Sequence, residues 1–234
     1  MNLAGHFPAG PPPEWEPFTW RELHFPNRLG IAGGVDKDGL GIRGWWNFGA
    51  GFIEVGTITP KSQPGNPGKR IARDMSHYAV WNRLGFPSQG AERLAHRLSG
   101  LKQRPTPIFA NIGKNAITPL EDAHRDYVTL IEQFASLVDG FVVNISSPNT
   151  KGLRELLKPS RLKEFILPLS EKFAYARKPW LLKISPDLDE KELEAVLQIS
   201  SEAGAGGWVL TNTSQGLREG LNFPPEGGVS GMPL

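Results

Sequence analysis

The stretch Leu29-Gly30-Ile31-Ala32-Gly33-Gly34-Val35-Asp36-Lys37 decides the fold. Its apolar run Leu29–Gly34 reads as a buried strand, and charge follows it. A dinucleotide-binding sheet would place Gly-x-Gly-x-x-Gly between its first strand and helix, leaving bare backbone for a pyrophosphate. Asp36 and Lys37 stand there instead. Five more strand-sized apolar runs follow, at Phe52–Ile58, Pro107–Ile112, Phe141–Ile145, Trp180–Ile184 and Trp208–Leu210. Helical periods lie between several of them: Tyr127, Ile131, Phe134 and Val138; then Leu162, Phe165, Ile166, Leu169 and Phe173; then Leu193, Val196 and Leu197. Thr118-Pro119-Leu120-Glu121 predicts a capping box with proline at the first helical position, and Asp189 with Glu192 predicts another.

Helices alternating with strands that are apolar throughout require parallel pairing and right-handed crossovers. Polar residues follow all six strands, and a barrel uses many strand ends at once. The expected fold is therefore α/β, a (β/α)8 TIM barrel with about six of its eight strand–helix units present. Residues 27–234 form this barrel domain, lacking its last units. Residues 1–26 are a Pro-rich N-terminal lead-in, with Gly5 to Pro17 exposed and Pro11-Pro12-Pro13 extended.

The 234 residues suffice for one substantial core. Lys plus Arg number 26 against 24 Asp plus Glu, a balance that excludes a nucleic-acid-binding charge pattern and favours small-molecule partners. No cysteine is present, which removes disulfides, thiolate nucleophiles, iron–sulfur clusters and cysteine zinc sites. No apolar stretch is long enough to span a membrane and no signal peptide is evident, so a cytoplasmic or cytosol-facing protein is expected. The five histidines show no i, i+4 metal spacing, and no metal is expected.

Collected by strand end, the polar residues are Asp36 and Lys37; Thr57; Asn111 and Lys114; Asn144, Ser147 and Asn149; Lys183; and Thr211, Asn212 and Thr213. Asparagine pairs a donor with an acceptor, so several converging on one pocket suit a planar heterocycle with alternating N–H and C=O groups. The lysines suit an anion on it. Any one of these residues could be a turn-former or cap. Six strand ends sharing the pattern favour a site. Ser147, in Asn144-Ile145-Ser146-Ser147-Pro148-Asn149-Thr150, has no sequence motif supplying a base, so an acyl-transfer serine is poorly supported.

These residues resemble the dihydroorotate dehydrogenases, in particular the quinone-linked class 2 branch, from about Asn27 to Leu234. The likeness rests on Asn27-Arg28-Leu29-Gly30 with Ala32 to Gly39; on Glu54-Val55-Gly56-Thr57-Ile58-Thr59-Pro60 with Gln63-Pro64-Gly65-Asn66; and on Asn82-Arg83-Leu84-Gly85-Phe86. Later come Asn111-Ile112-Gly113-Lys114-Asn115, the heptapeptide, Lys183 to Leu188, Thr211-Asn212-Thr213, and Gly227 to Leu234.

The resemblance implies an FMN-binding barrel that oxidises dihydroorotate to orotate in pyrimidine biosynthesis, with a quinone as terminal acceptor. Ser147 would take the C5 proton while hydride leaves C6. The sister class 1 enzymes use cysteine at that place, which this chain cannot supply. Lys37, Asn82, Asn144, Asn149, Asn212 and Thr213 would bind substrate, with Arg83, Leu84, Gly85 and Phe86 contributing through their loop. FMN would meet Gly33, Gly34, Val35, Asp36, Lys37, Thr57, Asn111, Asn144, Lys183, Thr211 and Gly231. Arg73 aligns with the family's quinone-site arginine, although a solvated charge reads equally well there.

Two features depart from the family pattern. Class 2 enzymes carry N-terminal membrane-docking helices, which a Pro-rich lead-in does not resemble, so peripheral membrane contact is an expectation from the family alone. The family also continues beyond the position of Leu234 through two strand–helix units that hold the FMN phosphate. A polypeptide of residues 1–234 is therefore expected to bind FMN weakly by itself. A non-catalytic remnant and a related flavin barrel acting on another pyrimidine stay open, as does the oligomeric state.

Overall fold

A computed structural model describes residues 12–234. Most of the Gly5–Pro17 lead-in, Pro11 included, lies outside the described residues; residues 13–17 are exposed, but Pro12 is buried, contrary to expectation. The elements run β1 (Phe18–Trp20), β2 (Leu23–Phe25), β3 (Gly30–Asp36), α1 (Ile42–Asn47), β4 (Phe52–Ile58), β5 (Ile71–Asp74), β6 (Ala79–Asn82), α2 (Ala91–Ser99), β7 (Ile108–Ile112), α3 (Ala123–Phe134) and β8 (Gly140–Asn144). A 3-10 turn at Leu153–Leu157 follows, then α4 (Pro159–Ala176), β9 (Trp180–Lys183), α5 (Glu190–Glu202), β10 (Trp208–Val209) and β11 (Gly228–Gly231).

Six strands form one parallel sheet in the order β10-β9-β8-β7-β4-β3. All six expected strands are present. They were legible because β7 and β8 are buried at every position and β4 at all but its first, so both faces demand apolar residues. Among the described residues β3 and β10 pair on one side only, so the sheet is a half-barrel.

Helices α2–α5 cover the outer face. On α3, Tyr127, Leu130, Ile131 and Phe134 are buried, and on α4 so are Leu162, Phe165, Ile166, Leu169 and Phe173, each set following its helical period. Burying such a side chain contributes roughly 2 kcal/mol. Phe173 stacks on Trp180 at 5.2 Å, locking α4 to β9. On α5 the buried residues are Val196, Ile199 and Ser200, whereas Leu193 and Leu197 are half-buried, so its inward face is rotated from the expected one.

The Asp189–Glu192 capping box forms, with Asp189 Oδ1 accepting from the Glu192 N–H and Glu192 Oε2 accepting from the Asp189 N–H. The one expected at Thr118–Glu121 does not. Thr118 Oγ1 and the Asn115 N–H both donate to Asp126 Oδ2, which holds Thr118 in the preceding loop and delays α3 until Ala123.

Residues 18–25 form the antiparallel hairpin β1–β2 at the N-terminal ends of the barrel strands. Phe25 stacks on Phe18 at 4.5 Å, meets Phe52 edge-on at 5.9 Å, and lies 6.3 Å from Phe109. A second antiparallel sheet, β11-β6-β5, packs around Trp81 and Val229. Its β5–β6 hairpin is inserted between β4 and α2.

Candidate active site

The C-terminal ends of the barrel strands and the β11-β6-β5 sheet enclose a cleft of about 330 Å³. Gly33 and Gly34 of β3, Thr57 at the end of β4, Asn144 of β8 and Lys183 of β9 supply its floor. The loops after β8 and β10 add Ser147 and Asn149, and Thr211, Asn212 and Thr213. Lys37, Asn82, Leu84, Gly85 and Phe86, also expected from sequence, line its walls. Residues whose sequence numbers span nearly 180 positions thus meet because parallel strands deliver their ends to one face.

The floor is a continuous run of hydrogen bonds. Asn111 Nδ2 donates to Glu54 Oε1, and its Oδ1 accepts from Asn144 Nδ2 at 3.3 Å. Asn144 Nδ2 also donates to Thr57 Oγ1 at 3.0 Å, while its Oδ1 accepts from Asn212 Nδ2 at 3.2 Å and Ser146 Oγ at 3.3 Å. Beneath them the Tyr127 hydroxyl donates to the Asn144 carbonyl at 2.9 Å, and burial pushes that phenol's pKa up, keeping it a neutral donor. These contacts hold the amides rigid, with few rotamers left to order when a ligand arrives.

Charge is paired below the cleft. Lys183 Nζ lies 3.7 Å from Glu54 Oε1, both side chains being almost wholly buried. The Lys37 ammonium is pushed down to about 8, chiefly by burial; Asp38 opposes the shift and Lys183 adds to it. A buried ammonium at the wall of a polar cleft is suited to gaining an anionic partner.

Ser147 is 4% exposed, and its Oγ accepts from the Asn149 N–H at 3.2 Å. Asn149 Nδ2 donates to Asn82 Oδ1 at 2.8 Å, whereas Asn149 Oδ1 and Thr213 Oγ1 are buried with no hydrogen-bond partner among the described residues. Two orphaned polar atoms on residues lining one cleft mark where a ligand belongs. Gly33 brings bare backbone against the floor: a Cβ there would sit 2.3 Å from Glu54 Oε1 and 2.8 Å from Asn111 Nδ2. Gly34 adopts φ +105°, which a side chain would strain.

Seven residues singled out from sequence do not line the cleft. Asp36 turns its carboxylate onto the Leu40 and Gly41 N–H groups, shaping the loop into α1, and Val35 is exposed. Arg83 Nη2 donates to the Pro67 carbonyl. Asn111 lies one layer down, and Gly231 pairs with Ala79 while its neighbours Ser230 and Leu234 reach the cleft. The carbonyls of Gly85 and Phe86 accept from Gln63 Nε2. Lys114 is engaged by the Asn115 and Thr118 carbonyls, and Arg73 is exposed on the edge strand β5. Glu54 was given no role from sequence, although a lone carboxylate inside the apolar run Phe52–Ile58 is itself a signal.

Among the described residues, no group of three or more His, Asp or Glu side chains could hold a metal ion, and no helix is long and apolar enough to cross a membrane.

Residues 18–234 match the family model described as dihydroorotate dehydrogenase. A "Dihydroorotate dehydrogenase (quinone)" of Synechococcus sp. (strain JA-2-3B'a(2-13)) is 45% identical over 232 residues, covering 91% of this chain and 60% of the relative. One of the same description from Thermus thermophilus is 45% identical over 217 residues, with 91% and 62% covered. The ligand-free enzyme crystal structure from Eimeria tenella superposes with a TM-score of 0.88 at 31% identity, covering all of this chain and 72% of that one. The chain thus spans about 60% of the length of the curated relatives it matches. A match from Phe18 to Leu234, on a half-barrel that superposes on a solved dihydroorotate dehydrogenase, shows that the chain belongs to the dihydroorotate dehydrogenase family.

Proposed function

We propose that this cleft oxidises dihydroorotate to orotate, with FMN taking the hydride and a quinone as the final acceptor. The observation that carries the reading is the convergence of Asn82, Asn144, Asn149 and Asn212 with Lys37 around Ser147. Amides that both donate and accept suit the edges of a dihydropyrimidine, and an ammonium suits its carboxylate.

The residues also fit a flavin. Gly33 offers a surface no side chain could share, the floor is rich in amide groups, and Lys183 stands at its edge. When bound, FMN supplies a two-electron hydride acceptor. Gly33, Gly34, Thr57, Asn144, Lys183 and Thr211 would hold it, with Asn111 supporting from below, and the Lys183 ammonium would favour negative charge gathering over the floor.

Dihydroorotate loses a hydride from C6 and a proton from C5. Ser147 Oγ would receive the C5 proton, its position set by the Asn149 N–H. Serine is a weak base, so the proton must pass onward through a relay. Lys37 would anchor the carboxylate, and the covering sheet would exclude bulk water from the reacting carbons.

The test is dihydroorotate-dependent reduction of a quinone analogue by the chain supplied with excess FMN, with Ser147→Ala as control. Turnover lost in the variant supports the reading. A chain that folds and holds flavin yet never reduces the acceptor is a non-catalytic relative. Turnover of dihydrouracil in place of dihydroorotate would identify a different pyrimidine as substrate.

A further inference from the structure

Arg154 lies outside the cleft lining, yet its guanidinium grips the loops that form the cleft. Its Nε donates to the Ser146 carbonyl at 2.9 Å, and Nη2 donates to the Thr213 carbonyl at 2.8 Å. Nη1 donates to Asp187 Oδ2 at 2.6 Å and to Gln215 Oε1 at 3.2 Å. Asp187 in turn accepts from the Gln215 N–H at 2.8 Å and from Ser214 Oγ. Ser214 exchanges backbone hydrogen bonds with Val229 of β11, at 2.9 and 2.7 Å.

One guanidinium and one carboxylate therefore tie together the loops after β8, β9 and β10, and through Ser214 the cover strand. The carbonyls Arg154 binds belong to Ser146, next to Ser147, and to Thr213, next to Asn212. We propose that Arg154, seated on Asp187, is a positioning residue that holds the Ser147 loop and the Asn212–Thr213 loop at the spacing the reaction needs; its catalytic consequence rests on the function proposed above.

The geometry favours this over a surface ion pair. A lone exposed pair holds two flexible ends and contributes little. Here the fork makes four hydrogen bonds in fixed directions, the Arg154 side chain is 21% exposed and that of Asp187 26%. Burial would raise the Asp187 carboxyl, but hydrogen bonds from Gln215, Ser214 and Arg154 outweigh it and hold the group below its usual value. A lysine could replace the charge but not the fork.

Hydrogen–deuterium exchange on the intact chain tests the proposal without requiring turnover. Arg154→Ala is expected to speed exchange in 146–152 and 211–216 by at least about tenfold, leaving the amides of β7, β8 and α3 unchanged. Asp187→Asn should open the same two segments. Methylguanidinium added to Arg154→Ala should restore protection, and Arg154→Lys should restore it only in part. Unchanged exchange in both segments overturns the proposal, as does acceleration spread evenly over the barrel core, which would mark a merely structural residue. A second arm adds orotate. Protection of 146–152 by orotate in the parent and its loss in Arg154→Ala ties the clamp to the ligand. No protection in the parent would count against the functional reading, while the ligand-free exchange still decides the clamp.

Discussion

The side-chain amide of Asn149 donates to Oδ1 of Asn82 at 2.8 Å, fastening the loop after β8 to the sheet that covers the cleft. A second tie runs from Asn66 Nδ2 to the Asn149 carbonyl at 3.0 Å. Replacing Asn82 by Leu keeps the volume but strips the Asn149 amide of its acceptor beside the bound ligand. Orotate affinity is expected to fall about 10- to 100-fold by calorimetry, with a stability loss near 1 kcal/mol. A variant that binds orotate like the parent would remove Asn82 from the site.

Ser147→Ala removes the proposed proton acceptor with little change in volume. Turnover of dihydroorotate with a dye acceptor is expected to drop about 10²- to 10⁴-fold while orotate binding changes little. Equal losses in turnover and in orotate affinity would make the serine a binding group only.

Lys37 gives a pH signature. Its folded value, about 8, lies below the ordinary 10.5, so between these values the unfolded chain holds the extra proton. Burying the cation therefore costs stability below about pH 8, and that cost is relieved as pH rises towards 10.5. Chemical denaturation of the parent should show stability contributed by this group rising across that window, and Lys37→Met should abolish the rise. Orotate binding should run the opposite way, weakening as pH climbs above about 8, where the ligand-free lysine gives up its proton. Calorimetry from pH 7 to 10 measures it.

Glu54→Ala leaves Lys183 buried without its counter-charge and Asn111 without an acceptor. A loss of about 3 kcal/mol is expected in urea unfolding, and Glu54→Gln should recover part of it through the Asn111 contact. No difference between the variants and the parent would show that the 3.7 Å pair contributes nothing to the floor.

In the polypeptide of residues 1–234, the outer edges of β3 and β10 have no strand partner among the described residues. Concentration-dependent association is expected by light scattering, with flavin absorbance well below one equivalent. A monodisperse sample holding stoichiometric FMN would show that the half-barrel suffices.

What could be read from sequence follows burial. The six barrel strands announce themselves because parallel strands covered on both sides need unbroken apolar runs. β5 (Ile71–Asp74) alternates exposed and half-buried positions and includes Arg73, so nothing marks it as a strand until β6 lies beside it. The hairpin of residues 18–25 escaped for a similar reason, being two three-residue strands after a Pro-rich stretch. At the site, side chains that reach the cleft directly from strand ends were found. Arg154 was not, since an arginine on a 3-10 turn looks solvated until its three partner loops are in place. Asp36 shows the converse. A carboxylate just after a strand looked like chemistry, but its oxygens are consumed by two backbone N–H groups of its own loop.

The sheet order also sets an order of assembly. Each barrel strand neighbours the one before it in the barrel series, so the half-barrel can grow unit by unit from its amino end as the chain emerges, each addition closing a connection shorter than the one the cover must close. The cover does not share this property. β11 pairs with β6 across about 150 residues, as the Ser230 contact to the Val80 carbonyl illustrates, and so carries the largest closure entropy of any strand pairing among the described residues. Native scaffold therefore precedes native pocket. In refolding experiments, barrel amides are expected to gain protection before Trp81 is shielded by Gly227 and Val229, and orotate should bind only in the last phase.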